Sequence, residues 1–302
     1  MTSDPLVWLL RIVWLALPFT LGDAIGAALD GRSGAVVTVG AAMSWLVWIV
    51  GLVASFITVP AALTALRWVA PAAPVAAIAL LFIESPAQGD IAGTSIPGVI
   101  GLAAALIAAA CALSGQVADN YANGASYGDE RRFALKVPLG LILGPIPGFW
   151  LLSVPGSILG ILALAAKNWA IGVPLTVVGV AISIVALRSV HLLNRRWLVF
   201  VPAGVTLVDH LALVDPALFP KARITHFGPA YTDTTATDLT SKATGLVLEM
   251  AFDIQVDISR RTGRDGGEVT LVNAVLISPV RPGAVMREAA GRGLNTPVPT
   301  AS

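Results

Sequence analysis

A chain of 302 residues with 56% hydrophobic and only 12% charged residues, at a mean hydropathy of +0.81, lies far outside the soluble range of about 25% charged. A net charge of +1 excludes the basic surface that phosphate backbones require, so nucleic acid is not an expected partner. A single cysteine, Cys111, excludes a disulfide framework and a thiolate metal site, and it reads as a small buried hydrophobe.

Charge is unevenly placed. Of the 37 Asp, Glu, Lys and Arg residues, 21 lie at or after Arg195, which divides the chain into an apolar part, residues 1–193, and a water-facing part, residues 194–294. The N-terminal run MTSDPLVWLLRIVWLALPF has no small-residue cleavage site and reads as a retained first span. A hydrocarbon core of about 30 Å needs roughly 20 apolar residues in helix. Six segments qualify: 6–21, with an extension to 29 left open, then 35–59, 68–83, 96–117, 149–166 and 170–191. The third is short and holds Pro71 and Pro74. With six spans both termini lie on one side. That side receives Arg11, Arg67, Arg131, Arg132, Lys136, Arg188, Arg195 and Arg196, whereas the other receives Arg32 and Lys167. The bias predicts a bacterial plasma-membrane protein with both termini cytoplasmic. Arg195 and Arg196 read as the inner-face anchor, with Trp197 beside them at the interface.

Before the fifth span, Gly140, Gly144, Gly148, Gly156 and Gly160 share a four-residue register, a spacing that lets helices approach closely in lipid. Pro145, Pro147 and Pro155 interrupt it. Two readings stand for segment 140–160: a broken helix lining a solute path, or a proline pair marking membrane entry. The polar connection QVADNYANGASYGDERRFALKVP carries Asp129, Glu130, Arg131 and Arg132 together. It reads as a solvated face, or as a contact with the C-terminal domain on the same side.

After Asn194 the period changes to two. WLVFVPAGVTLVD reads as a hairpin around Pro202, Ala203 and Gly204, and HLALVDPALFPKARITHFG as another strand pair. YTDTTATDLTSKATG reads as loop. Leu246, Leu248, Met250, Phe252, Ile254, Val256 and Ile258 alternate against polar neighbours, predicting a half-buried strand with Ile254 inward. RRTGRDGG turns the chain, 268–278 returns as the partner, and a short helix over 282–291 closes the domain. Residues 295–302 read as a disordered tail. The fold class is therefore an α-helical integral membrane protein of about six transmembrane helices, followed by a small, mainly antiparallel β domain.

RRWLVFVPAGVTLVD followed by LALVDPALFPKARIT resembles the opening strands of bacterial pleckstrin-homology-like domains appended to membrane spans. ALDGRSG and TALRWVAPA resemble stretches of uncharacterised multi-pass membrane proteins of actinobacteria. The first resemblance covers about a third of the chain through pattern. It implies a lipid- or protein-binding module rather than an enzyme, and it carries over no binding residue.

No catalytic constellation appears. The histidines, His191, His210 and His226, have no zinc spacing, and HExxH, GxSxG, P-loop and GxGxxG motifs are missing; no metal or cofactor is expected. Two acids flank spans. Asp23 would be a candidate intramembrane site if the first helix ran to residue 29, because buried ionisable groups in membranes are usually functional. Glu84 reads as a cap of the third span. Arg260, Arg261 and Arg264 gather at the RRTGRDGG turn, either as a solvated edge or as a contact for anionic headgroups or an acidic partner. The expected function is a non-enzymatic membrane protein presenting a cytoplasmic β domain to a protein partner or anionic lipid. The alternative is a small-solute transporter using the Gly/Pro-broken helix.

Overall fold

The computed structural model describes residues 4–83, 93–263 and 266–296. Its chain divides into two compact units, Met1–Tyr121 with Pro145–His191, and Ala122–Gly144 with Leu192–Ser302. Among the described residues, six helical segments are long and apolar enough to cross a membrane.

The helical unit begins with α1 (Pro5–Leu29), where the Asp4 carboxylate accepts the Leu6 amide at 3.0 Å and Pro5 occupies the first helical position. α1 runs through Pro18, which removes the N–H that would bond the Trp14 carbonyl four residues back. The Trp48 indole of α2 (Gly34–Phe56) supplies the missing donor at 2.9 Å, and the Trp14 indole returns a bond to the Trp48 carbonyl. Gly51 is required beneath them, because a Cβ there would collide with the Trp14 ring. The third span runs over Pro60–Leu80, eight residues earlier than its apolar run suggests. It is α3 (Pro60–Val69) and α4 (Ala72–Leu80), with Pro71 at the junction. The fourth span, α5 (Ile96–Leu113), ends at Ser114, and a separate helix α6 (Gly115–Gly124) follows.

α7 (Leu139–Leu143) and α8 (Pro145–Ala165) meet at Gly144, and α9 (Trp169–Leu193) returns antiparallel to α8. A Cβ on Gly160 would lie 2.6 Å from the Thr176 amide nitrogen, one on Gly172 2.7 Å from Leu164, and one on Gly179 2.7 Å from the Ser157 amide nitrogen. Close approach thus uses Gly160 from α8 and two glycines from α9, while Gly140, Gly148 and Gly156 face open space. The expected five-glycine stripe is not one packing face.

Large apolar side chains on the helix exteriors, such as Leu46, Leu152, Val177 and Val185, are exposed. A water-soluble bundle would have to cover them, so the surface suits lipid.

The second unit holds two four-stranded sheets. In the first, β1 (Arg131–Ala134), β2 (Trp197–Val201), β3 (Gly204–Val208) and β4 (Ala217–Pro220) pair in that order, all antiparallel. The charged connection between the fourth and fifth spans is therefore not a free solvated face, since it donates strand β1 to the C-terminal sheet. Asn123 holds the other side of that strand through two bonds to the Arg132 backbone, of 2.6 and 2.9 Å. The second sheet comprises β5 (Ile224–Pro229), β6 (Thr237–Asp238), β7 (Leu248–Thr262) and β8 (Gly266–Ile277), in the order β5-β7-β8-β6. Only β6 runs parallel to its neighbour β8. Phe133, Phe200, Phe219, Phe227, Met250 and Val275 are among the residues that fill one core. α10 (Pro282–Gly291) closes it with Val285 and Ala289. Asn295 is not part of a loose tail; it bonds to β5, accepting the Phe227 amide at 2.9 Å and donating to the Thr225 carbonyl at 2.6 Å. Residues 297–302 lie outside the described residues.

Arg196 does not anchor the chain at a membrane face. It is 2% exposed and its guanidinium forms a two-pronged pair with Asp209, both bonds 2.7 Å. A third bond of 2.8 Å reaches the Lys136 carbonyl, just after β1. Trp197 is buried as well, under the Arg132 guanidinium at 5.0 Å. Both side chains serve the core because the chain begins its first sheet one residue after Arg196.

The long alternation also breaks. The β7–β8 register shifts between Ala251 and Val256, so Leu248, Met250, Phe252 and Ile258 are buried while Ile254 is 49% exposed. Extra residues on one strand bulge away from the ladder, and the partner answers by changing parity, with Val272 inward at one end and Val275 and Ile277 at the other.

Met250→Asp should cost several kcal/mol, as an unpaired buried charge does, whereas Ile254→Asp should be nearly silent. Hydrogen exchange of β7 amides in the full chain checks this, with lost protection expected only for the first variant. Asp209→Ala should cost about 3–5 kcal/mol by stranding a buried guanidinium. The double change Arg196→Met with Asp209→Leu should recover most of that loss, read as protease resistance of the sheet unit.

Candidate functional site

In the helical unit, polar side chains are engaged at helix ends. Arg11 Nε donates to the Ser55 carbonyl at 3.0 Å, Tyr121 Oη to the Ala54 carbonyl at 2.8 Å, and Arg67 Nε to the Ala112 carbonyl at 3.3 Å. These acceptors sit in the last turns of α2 and α5, where carbonyls lack helical partners and a cation complements the helix dipole. Burial pushes the Tyr121 phenol up to about 12, with Arg11 pulling the other way. His191 Nδ1 pairs with Thr64 Oγ1 at 3.2 Å. The hydroxyls of Ser55, Thr64 and Ser153 also bond carbonyls of their own helices. None of these groups is a nucleophile or base aimed into a cavity.

Asp23 lies within α1, which does reach Leu29, but its side chain faces outward and is exposed. The condition that made it an intramembrane candidate is met for the helix and not for burial. Gly144 is the one break in the 140–160 segment; α8 is helical through Pro155. Pro145 and Pro147 fall in its first turn, where a missing N–H costs little. Glu84 lies outside the described residues.

The sheet unit holds a cleft of about 210 Å³ bordered by Phe200, Pro202, Lys221, Arg292 and Leu294. Arg292 is already spent there, on Glu288 at 2.7 Å and the Asp129 carbonyl at 2.6 Å. The end of the β7–β8 hairpin is different. Arg260 and Arg261 belong to the ladder rather than to a turn, opposite Glu268 and Gly267. Consecutive strand residues point to opposite faces, so the two arginines are separated; Arg264 lies outside the described residues. Arg261 joins a group that the sequence pattern did not reveal. The Arg261 amide bonds the Ala212 carbonyl at 2.9 Å, and the Val214 amide bonds the Ser259 carbonyl at 2.9 Å. This segment follows Asp209, the partner of Arg196. His210 sits within electrostatic reach of Arg195, Arg261 and Arg196. Burial, and next Arg195, hold its imidazole below the ordinary histidine range, with Asp209 opposing. Arg195 and Arg261 thus both act on His210, an imidazole whose neutral form is favoured.

On the same face as Arg261, Val269 is 72% and Leu271 58% exposed, with Val214 packed so close to Gly267 that a Cβ there would lie 2.6 Å from it. The sequence signal for this face was the adjacent pair Leu271 and Val272, which cannot both point inward in one pleat. Among the described residues no group of three His, Cys, Asp or Glu side chains could hold a metal. Comparison with protein-family models, curated proteins and solved structures returns no match, so the site's chemistry is argued from its own residues.

Because the folded value of His210 is depressed, its contribution to stability is present above an unfolded value of about 6.5 and is lost as pH falls below it. Thermal unfolding of the sheet unit should therefore weaken on acidification through that range. His210→Gln should flatten this part of the profile; an unchanged slope would show that the imidazole is not the group responsible.

Proposed function

We propose that the chain is a non-enzymatic adaptor of the bacterial plasma membrane: six spans hold a pleckstrin-homology-like β unit at the cytoplasmic face, where it engages anionic lipid headgroups or a protein partner. The observation that carries this reading is the pairing of β1 with β2. β1 precedes the fifth span and β2 follows the sixth. Two crossings return a chain to its starting side, so one folded unit built from both segments fits a bilayer threaded by α8 and α9. The basic residues on that side favour the cytoplasm. Two sheets sharing a core closed by a terminal helix suit a recognition module, which needs a rigid frame more than a reactive cavity.

Transport draws less support. A solute path asks for unwound backbone and free polar groups at midspan. Here the fifth span breaks at Gly144, at the start of α8, and the third at Pro71; the hydroxyls of Ser55, Thr64 and Ser153 bond their own helices, and the two buried hydroxyls without a bond, Ser157 and Thr176, lie where Gly160 and Gly179 bring α8 and α9 into close contact rather than along a cavity.

Reporter fusions after Ser302 and within residues 90–95 test the orientation. The first should report the cytoplasm and the second the exterior. An exported C-terminus would remove the adaptor reading, because the β unit would then face away from the cytoplasmic leaflet.

A further inference from the structure

The cleft in the sheet unit is built from segments far apart in sequence. Phe200 lies at its base, and its walls come from the β2–β3 turn, from Lys221 directly after β4, and from Arg292 and Leu294 beyond α10. Backbone bonds fix each wall. The Lys221 amide donates to the Ala203 carbonyl at 2.9 Å. The Gly293 and Leu294 amides turn back to the Ala290 and Ala289 carbonyls at 2.9 and 3.0 Å, a helix ending that seats Leu294 in the core. Gly293 takes a φ of +70°, and a Cβ there would stand 3.4 Å from the Lys221 ammonium nitrogen. The lysine head therefore lies over bare backbone at the edge of the cleft.

Cations gather around this base. Arg131 is the cross-strand partner of Phe200, so both side chains leave the same face of the sheet. Its guanidinium lies 5.6 Å from the Phe133 ring, which meets the Phe200 ring edge-on at 5.7 Å. Arg292 approaches the Phe200 ring to 5.9 Å, but its bonds to Glu288 and the Asp129 carbonyl make it part of the frame. Arg131 and Lys221 are exposed and form no hydrogen bond or ion pair among the described residues. Of the acids nearby, Glu130 is paired with Arg132 and Glu288 with Arg292, which leaves the exposed Asp129 carboxylate against two free cations.

We infer that the cleft receives an acidic peptide segment of a protein partner, with one apolar side chain seated on Phe200 and flanking carboxylates meeting Lys221 and Arg131. The inference deepens the adaptor reading and rests on it for the side of the membrane from which the partner comes. Three observations select this occupant. A volume of about 210 Å³ lies below the roughly 300–1,000 Å³ of small-molecule sites and suits a single anchoring side chain. Phe200, Val201, Pro202 and Leu294 give the cleft apolar walls, which a phosphate group would leave unused, and the amides of Lys221, Gly293 and Leu294 are already bonded rather than free to form the N–H cradle typical of phosphate sites. The two free cations also belong to opposite edges of the sheet, β1 and the end of β4, with β2 and β3 between them. Those edges lie roughly 14 Å apart at the usual strand spacing, which suits two carboxylates flanking an anchor.

Fluorescence anisotropy on the full chain in nanodiscs of neutral phosphatidylcholine tests this. The probe is a fluorescein-labelled heptapeptide of six glutamates around a central leucine. It should bind the loaded discs and not empty ones, and binding should weaken as salt rises. Serine in place of the leucine should weaken binding by about tenfold or more, as loss of an anchor does. Lys221→Gln with Arg131→Gln should weaken it by about tenfold, each single change by less. Lys242→Gln, at an exposed lysine of the loop before β7, should leave it unchanged. Hydrogen exchange separates lost binding from lost folding: β2 and β3 amides should stay protected in both single variants and in the double one. Equal binding of the leucine-free peptide, competition by glycerol phosphate as strong as by unlabelled peptide, or no anisotropy change with the unaltered chain would each overturn the inference; the second would make the cleft a phosphate site. The orientation fails separately. No binding with a cytoplasmic C-terminus sinks the cleft alone, whereas binding with an exported C-terminus keeps the cleft and removes the cytoplasmic adaptor.

Discussion

The buried pair of Arg196 and Asp209 joins three segments that are distant along the chain. Arg196 immediately precedes β2, Asp209 immediately follows β3, and the third guanidinium bond reaches the Lys136 carbonyl in the connection between the fourth and fifth spans. The Arg196 carbonyl also accepts the Leu135 amide at 3.0 Å. Two buried charges are tolerable here because every prong of the fork finds an acceptor and Asp209 also takes the Leu211 amide at 2.9 Å. This arrangement favours specificity over raw stability: it sets the register of β1 against β2, and it orients the turn that holds the end of β7.

A second constraint governs the helices. Carbonyls at helix ends, or opposite a proline, have no water to turn to in a bilayer. The unit meets them with side chains from neighbouring helices: Trp48 for the carbonyl freed by Pro18, Arg11 and Tyr121 for the end of α2, Arg67 for the end of α5, and Trp150 for Trp68 at 2.8 Å near the end of α3. Two arginines that count as topology signals thus also hold helix ends. The two roles are compatible, since a helix C-terminus attracts a cation on whichever side it lies.

These constraints divide the molecule by chemistry. The helical unit spends most of its buried polar groups on backbone carbonyls, the hydroxyls of Ser157 and Thr176 excepted, and leaves an apolar exterior. The sheet unit encloses its own core and leaves Val269 and Leu271 exposed on one side of β8.

Composition and period alone determined the broad plan: six apolar runs, the change to strand at Trp197, the hairpin around Pro202 to Gly204, and the closing helix from Pro282. These follow from local rules, because a run of about 20 apolar residues or an alternation of two is visible without knowing its neighbours. Tertiary structure decided what depends on distant partners. Arg131 to Ala134 looks like a charged loop until β2 offers its edge. Arg196 looks like an interfacial anchor until Asp209 supplies the counter-charge that makes burial tolerable. Ile254 matches an inward period until the bulge takes it out of the ladder. The turn after Asp209 meets the end of β7 only through the Arg261–Ala212 and Val214–Ser259 backbone bonds, and backbone hydrogen bonds between distant segments leave no mark in local sequence.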